Sequence, residues 1–88
     1  MENPVRALRQ ELSMTQTSMA AALHVNHSQI ERLEAGRYQR LTPTLMLALY
    51  AAGFTRDRVE RLRADYEQWL TEHFNQDSAR VSEFASAA

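Results

Sequence analysis

Between Asn26 and Arg40 the chain collects Asn26, His27, Ser28, Gln29, Glu31 and Arg32, followed by Arg37, Tyr38 and Arg40. These are hydrogen-bonding and cationic side chains, and arginine in particular presents a planar fork that matches phosphate and guanine bidentately. Other chemistries lack their parts. There is no cysteine, so no thiolate nucleophile, disulfide framework or Cys-based zinc site is available. His24 and His27 are three residues apart, a spacing that can present two metal ligands, but no Cys and no nearby Asp completes a shell, so neither metal nor cofactor is expected. With no phosphate loop, no plausible triad and little room for a pocket in so short a helical chain, the sequence does not read as an enzyme.

The elements that would carry these residues are helices. Two glycines and two prolines punctuate the chain and strand-like alternation is nearly absent, so the fold class is all-α. Asn3-Pro4 caps a first helix over about Pro4 to Leu12, with Val5, Leu8 and Leu12 at helical spacing. Thr15 caps a second, in which Met19, Ala20 and Leu23 precede the interruption at His24 and Val25. Asn26 caps a third, with Gln29 at the capping-box position and Ile30 and Leu33 on the buried face up to Gly36. Residues 37–41 read as a loop. Thr42-Pro43 opens a fourth helix carrying Leu45, Ala48, Leu49 and Ala52 and ended by Gly53. Thr55 opens a fifth, the longest, expected to reach about Asn75, and residues 76–88, polar apart from Val81 and Phe84, are expected to be a frayed tail or weak helix.

The second and third helices are too short to persist alone and must pack as a unit, with Ala20 small enough for a close crossing. That is a helix-turn-helix pattern, and its outer face, His27, Ser28, Glu31 and Arg32 with Asn26 and Gln29 at the start, can reach a major groove. Asn26 and Gln29 have a second explanation, since a capping box would use both without any ligand.

The chain resembles the Cro/repressor-like (Xre) helix-turn-helix family of lambdoid phage repressors and their bacterial relatives. The resemblance rests on Arg9, on Thr15-Gln16 followed by Met19-Ala20, and on Ile30 through Gly36, and covers about residues 4–54. It implies a five-helix lambda-repressor-like DNA-binding domain with an extended C-terminal helix. It implies phosphate contacts from Thr15 and Gln16 at a helix N-terminus, where anions are favoured, and from Gln29, Arg37, Tyr38 and Arg40. Base contacts fall to Asn26, His27, Ser28 and Arg32, with Arg32 suited to the O6 and N7 of a guanine. Arg9 and Glu34 look like the family's structural ion pair. His24 stands where the family usually has a glycine at positive φ, a region in which histidine is enriched among non-glycine residues.

The fifth helix carries Val59, Leu62, Tyr66, Trp69 and His73 at alternating spacings of three and four, with Leu70 and Phe74 beside them. Aromatic enrichment and the resemblance make Val59, Leu62, Tyr66, Trp69, Leu70 and His73 candidates for a dimer interface. Arg56, Arg58, Arg61 and Arg63 interleave with Asp57, Glu60, Asp65 and Glu67 and read as a solvated face. The whole chain of 88 residues carries 10 basic and 11 acidic side chains, all the basic ones arginine, which is most simply a coding bias. Its net charge of -1 divides unevenly, +1 over residues 1–54 and -2 over 55–88, directing nucleic acid toward the first part.

Together these features divide the chain into a helix-turn-helix core over 1–54, a pairing or covering helix over 55–75 and a tail over 76–88. The expected function is that of a homodimeric transcription regulator, a repressor bound to a palindromic double-stranded DNA operator. An alternative is an interaction module, such as an antitoxin or a factor contacting RNA polymerase, that recruits a protein partner through helix 5 or the tail. With no apolar run of the roughly 20 residues needed to span a bilayer, and no continuous apolar core in MENPVRALRQEL, no membrane contact and a cytoplasmic location are expected.

Overall fold

Five side chains, one before each helix, take over backbone amides that helix geometry leaves without a partner. The structure, a computed structural model, describes residues 1–87, with side chains through Phe74 and at Ala85. Asn3 Oδ1 accepts from the amides of Val5 and Arg6 and starts α1 (Pro4–Glu11). Thr15 Oγ1 accepts from the Ser18 amide at 3.0 Å and starts α2 (Gln16–Leu23). Asn26 Oδ1 accepts from the Ser28 amide and starts α3 (His27–Glu34), and Thr42 Oγ1 accepts from Leu45 at the head of α4 (Pro43–Ala51). Thr55 Oγ1 accepts from the Arg58 amide as α5 (Arg56–Ala87) begins. Among the described residues every element is helical, so the fold is all-α.

One boundary and one core residue differ from the sequence reading. The apolar stripe fades near Asn75, yet α5 extends to Ala87. Apolar periodicity marks the buried face of a helix, whereas glycine and proline end it, and neither occurs after Gly53. The side chains of Val81 and Phe84 lie outside the described residues. The loop after α3 also hides a core residue: Leu41, which stands in no periodic pattern, is only 1% exposed. Its burial is worth about 2 kcal/mol and fixes the loop's far end.

The core is shared by all five helices. Val5 and Leu8 of α1, Met19 and Ala20 of α2, Ile30 and Leu33 of α3, and Leu45 and Leu49 of α4 meet Val59, Tyr66 and Leu70 of α5. Val59, Tyr66 and Leu70 are therefore withdrawn from the expected dimer contacts: they are 0%, 0% and 5% exposed within the single chain. Of the six candidates, Leu62 and Trp69 are half-buried and His73 is exposed.

Asn3 does more than cap. Its Nδ2 donates to the carbonyls of Leu33 at 3.0 Å and Glu34 at 3.3 Å, so one buried amide closes the start of α1 and the end of α3 together. The backbone then turns at Gly36, with φ +74°, directly beneath the Trp69 indole. A Cβ there would lie 3.0 Å from Trp69 Cη2 and 3.1 Å from Cζ3, whereas one at Gly53, φ +99°, would meet nothing within 4 Å. Gly36→Ala should therefore cost the left-handed penalty of about 1–2 kcal/mol and displace the indole besides. In thermal melts its Tm should fall by about 5–15 °C, and by more than that of Gly53→Ala; equal falls would mean that Trp69 yields freely.

Candidate nucleic-acid interface

The turn between α2 and α3 is built on His24, which caps α2 in the left-handed conformation, φ 56° and ψ 38°. Its amide and that of Val25 bond back to Ala21 and Ala20 carbonyls, closing the helix end. Val25 is half-buried against the core and Ala20, 4% exposed, lets α2 and α3 approach. Two short helices are thereby locked at a fixed angle, with Ile30 and Leu33 of α3 wholly buried on the inner side.

The outer side of α3 exposes His27, Glu31 and Arg32, with Asn26 exposed at its head and Ser28 half-buried. Ser28, Glu31, Arg32, Ala35 and Arg37 line one shallow depression of about 280 Å³. The fold thus brings Ser28 and Arg32 of the base-contact set together with Arg37 of the phosphate-contact set. Glu31 belongs to the same surface, although the resemblance assigns it no contact of its own. Its helical register, four residues after His27, is the signal that places it there, and its carboxylate lies 3.7 Å from His27 Nε2. A carboxylate here can accept from a cytosine amino group.

Several candidates are already engaged. Thr15 Oγ1 accepts from the Ser18 amide and donates its one proton to Ser18 Oγ at 2.9 Å, so it must turn that proton away from Ser18 to meet a phosphate. Gln16, half-buried, opens α2 beside it. Asn26 caps α3 and also accepts from Ser28 Oγ at 2.9 Å. The reciprocal half of a capping box is absent: Gln29 Oε1 instead accepts from Thr42 Oγ1 at 2.8 Å, tying α3 to the head of α4. Gln29 therefore has a structural task at a sequence separation of 13, too long for any local motif to announce.

Arg37 and Arg40 are exposed in the loop that leaves α3, and Tyr38 is half-buried between them. The Tyr38 carbonyl accepts from Tyr66 Oη at 2.7 Å. Burial pushes the Tyr66 phenol above its ordinary pKa, partly offset by that hydrogen bond. At the base of the unit Arg9 Nε and Nη2 reach both Glu34 oxygens, at 2.9 and 3.0 Å, while Nη1 donates to the Met14 carbonyl at 3.1 Å. Hydrogen bonding to Glu34 raises the Arg9 pKa, so the guanidinium stays charged throughout the working range. It joins α1, the α1–α2 turn and the end of α3 at one point.

The depression gathers Arg32 and Arg37 against Glu31, a locally cationic patch on a chain of net charge -1, and Arg40 is exposed further along the loop. No group of three or more His, Cys, Asp or Glu among the described residues could hold a metal ion, and no helix there is long and apolar enough to cross a membrane. No curated protein and no solved structure matches the chain significantly. A family described as a helix-turn-helix domain matches residues 5–63, from the first turn of α1 into α5. That span holds more than half of the chain and every residue of the cationic patch: the protein belongs to the helix-turn-helix domain family and, with it, to the DNA-binding proteins.

Proposed function

We propose that the protein is a sequence-specific transcription regulator of the Cro/repressor-like branch, acting as a homodimeric repressor on a palindromic operator. The observation that carries this reading is the exposed face of α3, where Ser28, Arg32 and Arg37 line one surface on a helix whose opposite side is locked into the core. The bidentate Arg9–Glu34 pair and the left-handed His24 in the turn support placing it in that branch.

In this reading α3 lies in the major groove, Arg32 reads a guanine edge, and His27, Ser28 and Asn26 read or flank neighbouring bases. Gln16, Thr15, Arg37 and Arg40 fix the docking angle through the phosphates. Dimerisation uses α5 residues that keep some exposure in the single chain, the half-buried Leu62 and Trp69 and the exposed His73, with Phe74 at 53% exposure beside them. A two-fold dimer sets its recognition helices about one helical turn, roughly 34–36 Å, apart.

Selection of bound duplexes from a random DNA pool tests this. The expected result is a dyad-symmetric consensus with half-site centres about 10 base pairs apart. An asymmetric consensus would remove the dimer, and no enrichment by a folded protein would remove sequence-specific binding.

A second reading is favoured by one observation. Between α1 and α5, with Leu49 and Phe54 at its end, runs a groove of about 380 Å³ floored by Leu8, Val59 and Leu62 and rimmed by Arg58, Arg61 and Asp65. Such a groove suits an interaction module of the antitoxin or polymerase-contacting kind, and stoichiometric co-purification of a protein partner would support it over the free homodimer.

A further inference from the structure

The segment that leaves α3 carries Arg37 and Arg40 but has neither helix nor strand to fix its backbone. Three anchors hold it instead. Gly36 at its start is pressed under Trp69, the Tyr38 carbonyl in its middle accepts 2.7 Å from Tyr66 Oη, and Leu41 at its end is buried. Two of these three come from one turn of α5.

The Tyr66 ring is 0% exposed, and a hydroxyl at the tip of a buried ring needs an acceptor. Its acceptor is a carbonyl of the arginine-bearing loop, 28 residues away in sequence. Phenylalanine would fill the same volume, so the hydroxyl's role is separable from the ring's. Between the outer anchors the loop backbone has one side-chain tether, and the exposed arginines flank it on either side. Arg37 and Arg40 take part in no ion pair among the described residues, and although the Arg37 amide donates to the Arg32 carbonyl at 2.9 Å, no side-chain partner aims either guanidinium.

We propose that Tyr66, assisted by Trp69, is a positioning residue for DNA phosphate contacts: by holding the Tyr38 carbonyl it fixes the loop from which Arg37 and Arg40 meet the backbone. The inference rests on the DNA-binding reading above and deepens it. It assigns the longest helix a part in DNA affinity without any contact to DNA.

The test is binding to a mixed-sequence DNA duplex over a range of salt concentrations, because backbone contacts are independent of sequence. Tyr66→Phe should remain helical and melt cooperatively, yet bind roughly fivefold more weakly, the size of one hydrogen bond's net contribution. Its slope of log affinity against log salt should be shallower by about 0.9 for each phosphate that is no longer neutralised. The double variant Arg37→Gln, Arg40→Gln should bind more weakly still, and adding Tyr66→Phe to it should change nothing further. If Tyr66→Phe leaves the slope unaltered, or its effect adds fully to that of the double variant, the hydroxyl serves the fold alone and the proposal fails. If the double variant binds like the wild type, the loop makes no phosphate contact and the proposal fails while the helix-turn-helix reading stands. A folded wild type without salt-dependent binding would remove both. Should Tyr66→Phe melt below the assay temperature, Trp69→Phe relaxes the other α5 anchor and is read by the same slope, at a concentration where its mass in solution equals the wild type's.

Discussion

Arg32→Ala should weaken binding to the selected operator by about 1–3 kcal/mol, roughly five- to 150-fold, and relax base preference at one position in each half-site. The side chain is exposed on the outer face of α3, so removing it leaves Ile30 and Leu33, which hold the helix, in place. Repeating the random-pool selection with the variant measures the effect directly: one column of the consensus should flatten and its dyad mate with it. Gln16→Ala gives the contrast. Set at the head of α2, it should lower affinity for all sequences about equally and leave the consensus intact. A uniform decrease from both variants would mean that Arg32 is another phosphate contact and that the reading of bases lies with Asn26, His27 or Ser28.

Arg9→Ala should be the most damaging single change to stability. The side chains of Arg9 and Glu34 are 17% and 7% exposed, and removing the guanidinium strands a nearly buried carboxylate without either of its Arg9 hydrogen bonds. Breaking a buried pair in this way costs about 3–5 kcal/mol, and the residual exposure of Arg9 puts the expectation near the lower figure. For a domain of this size that is a fall in Tm of about 12–24 °C. The damage is compounded at the α1–α2 turn, where Arg9 Nη1 holds the Met14 carbonyl one residue after Ser13 adopts φ 55°. Replacing both partners, Arg9→Leu with Glu34→Leu, should recover much of the stability, because no charge is then left unpaired. If the double replacement melts as low as Arg9→Ala, the tie to Met14 rather than the ion pair carries the cost.

What could be read in the sequence follows the range of the forces involved. Caps act within three or four residues, so Asn3, Thr15, Asn26, Thr42 and Thr55 could each be placed before their helices, and all five accept the amides that capping requires. The steric tolerance of histidine for positive φ is equally local, and His24 adopts it. Contacts between elements were less accessible. Gln29 sits where a capping box would use it, but its partner Thr42 is supplied by the next helix. Leu41 has no periodic neighbours to reveal its burial, since a loop residue enters the core by the path of the chain rather than by helical register. Tyr66 illustrates the ambiguity of aromatic stripes: Tyr66 and Trp69 share one face, and only the packing of α5 decides that the first is wholly inside while the second is half open. On the cationic face, residue types suggested the chemistry, and the depression shared by Ser28, Glu31, Arg32 and Arg37 supplied their proximity.

The seat of Trp69 also makes the protein its own optical gauge. It is the sole tryptophan of the chain, tilted against Tyr66 at 5.9 Å, stacked on His73 at 5.2 Å and lying over Gly36 where α3 ends. Any event that lifts α5 from the recognition unit or shifts the turn at Gly36 changes the polarity and the quenching neighbours around one indole. Emission intensity and wavelength can therefore follow α5 docking without an attached dye, with the tryptophan signal assigned to a single known place in the fold.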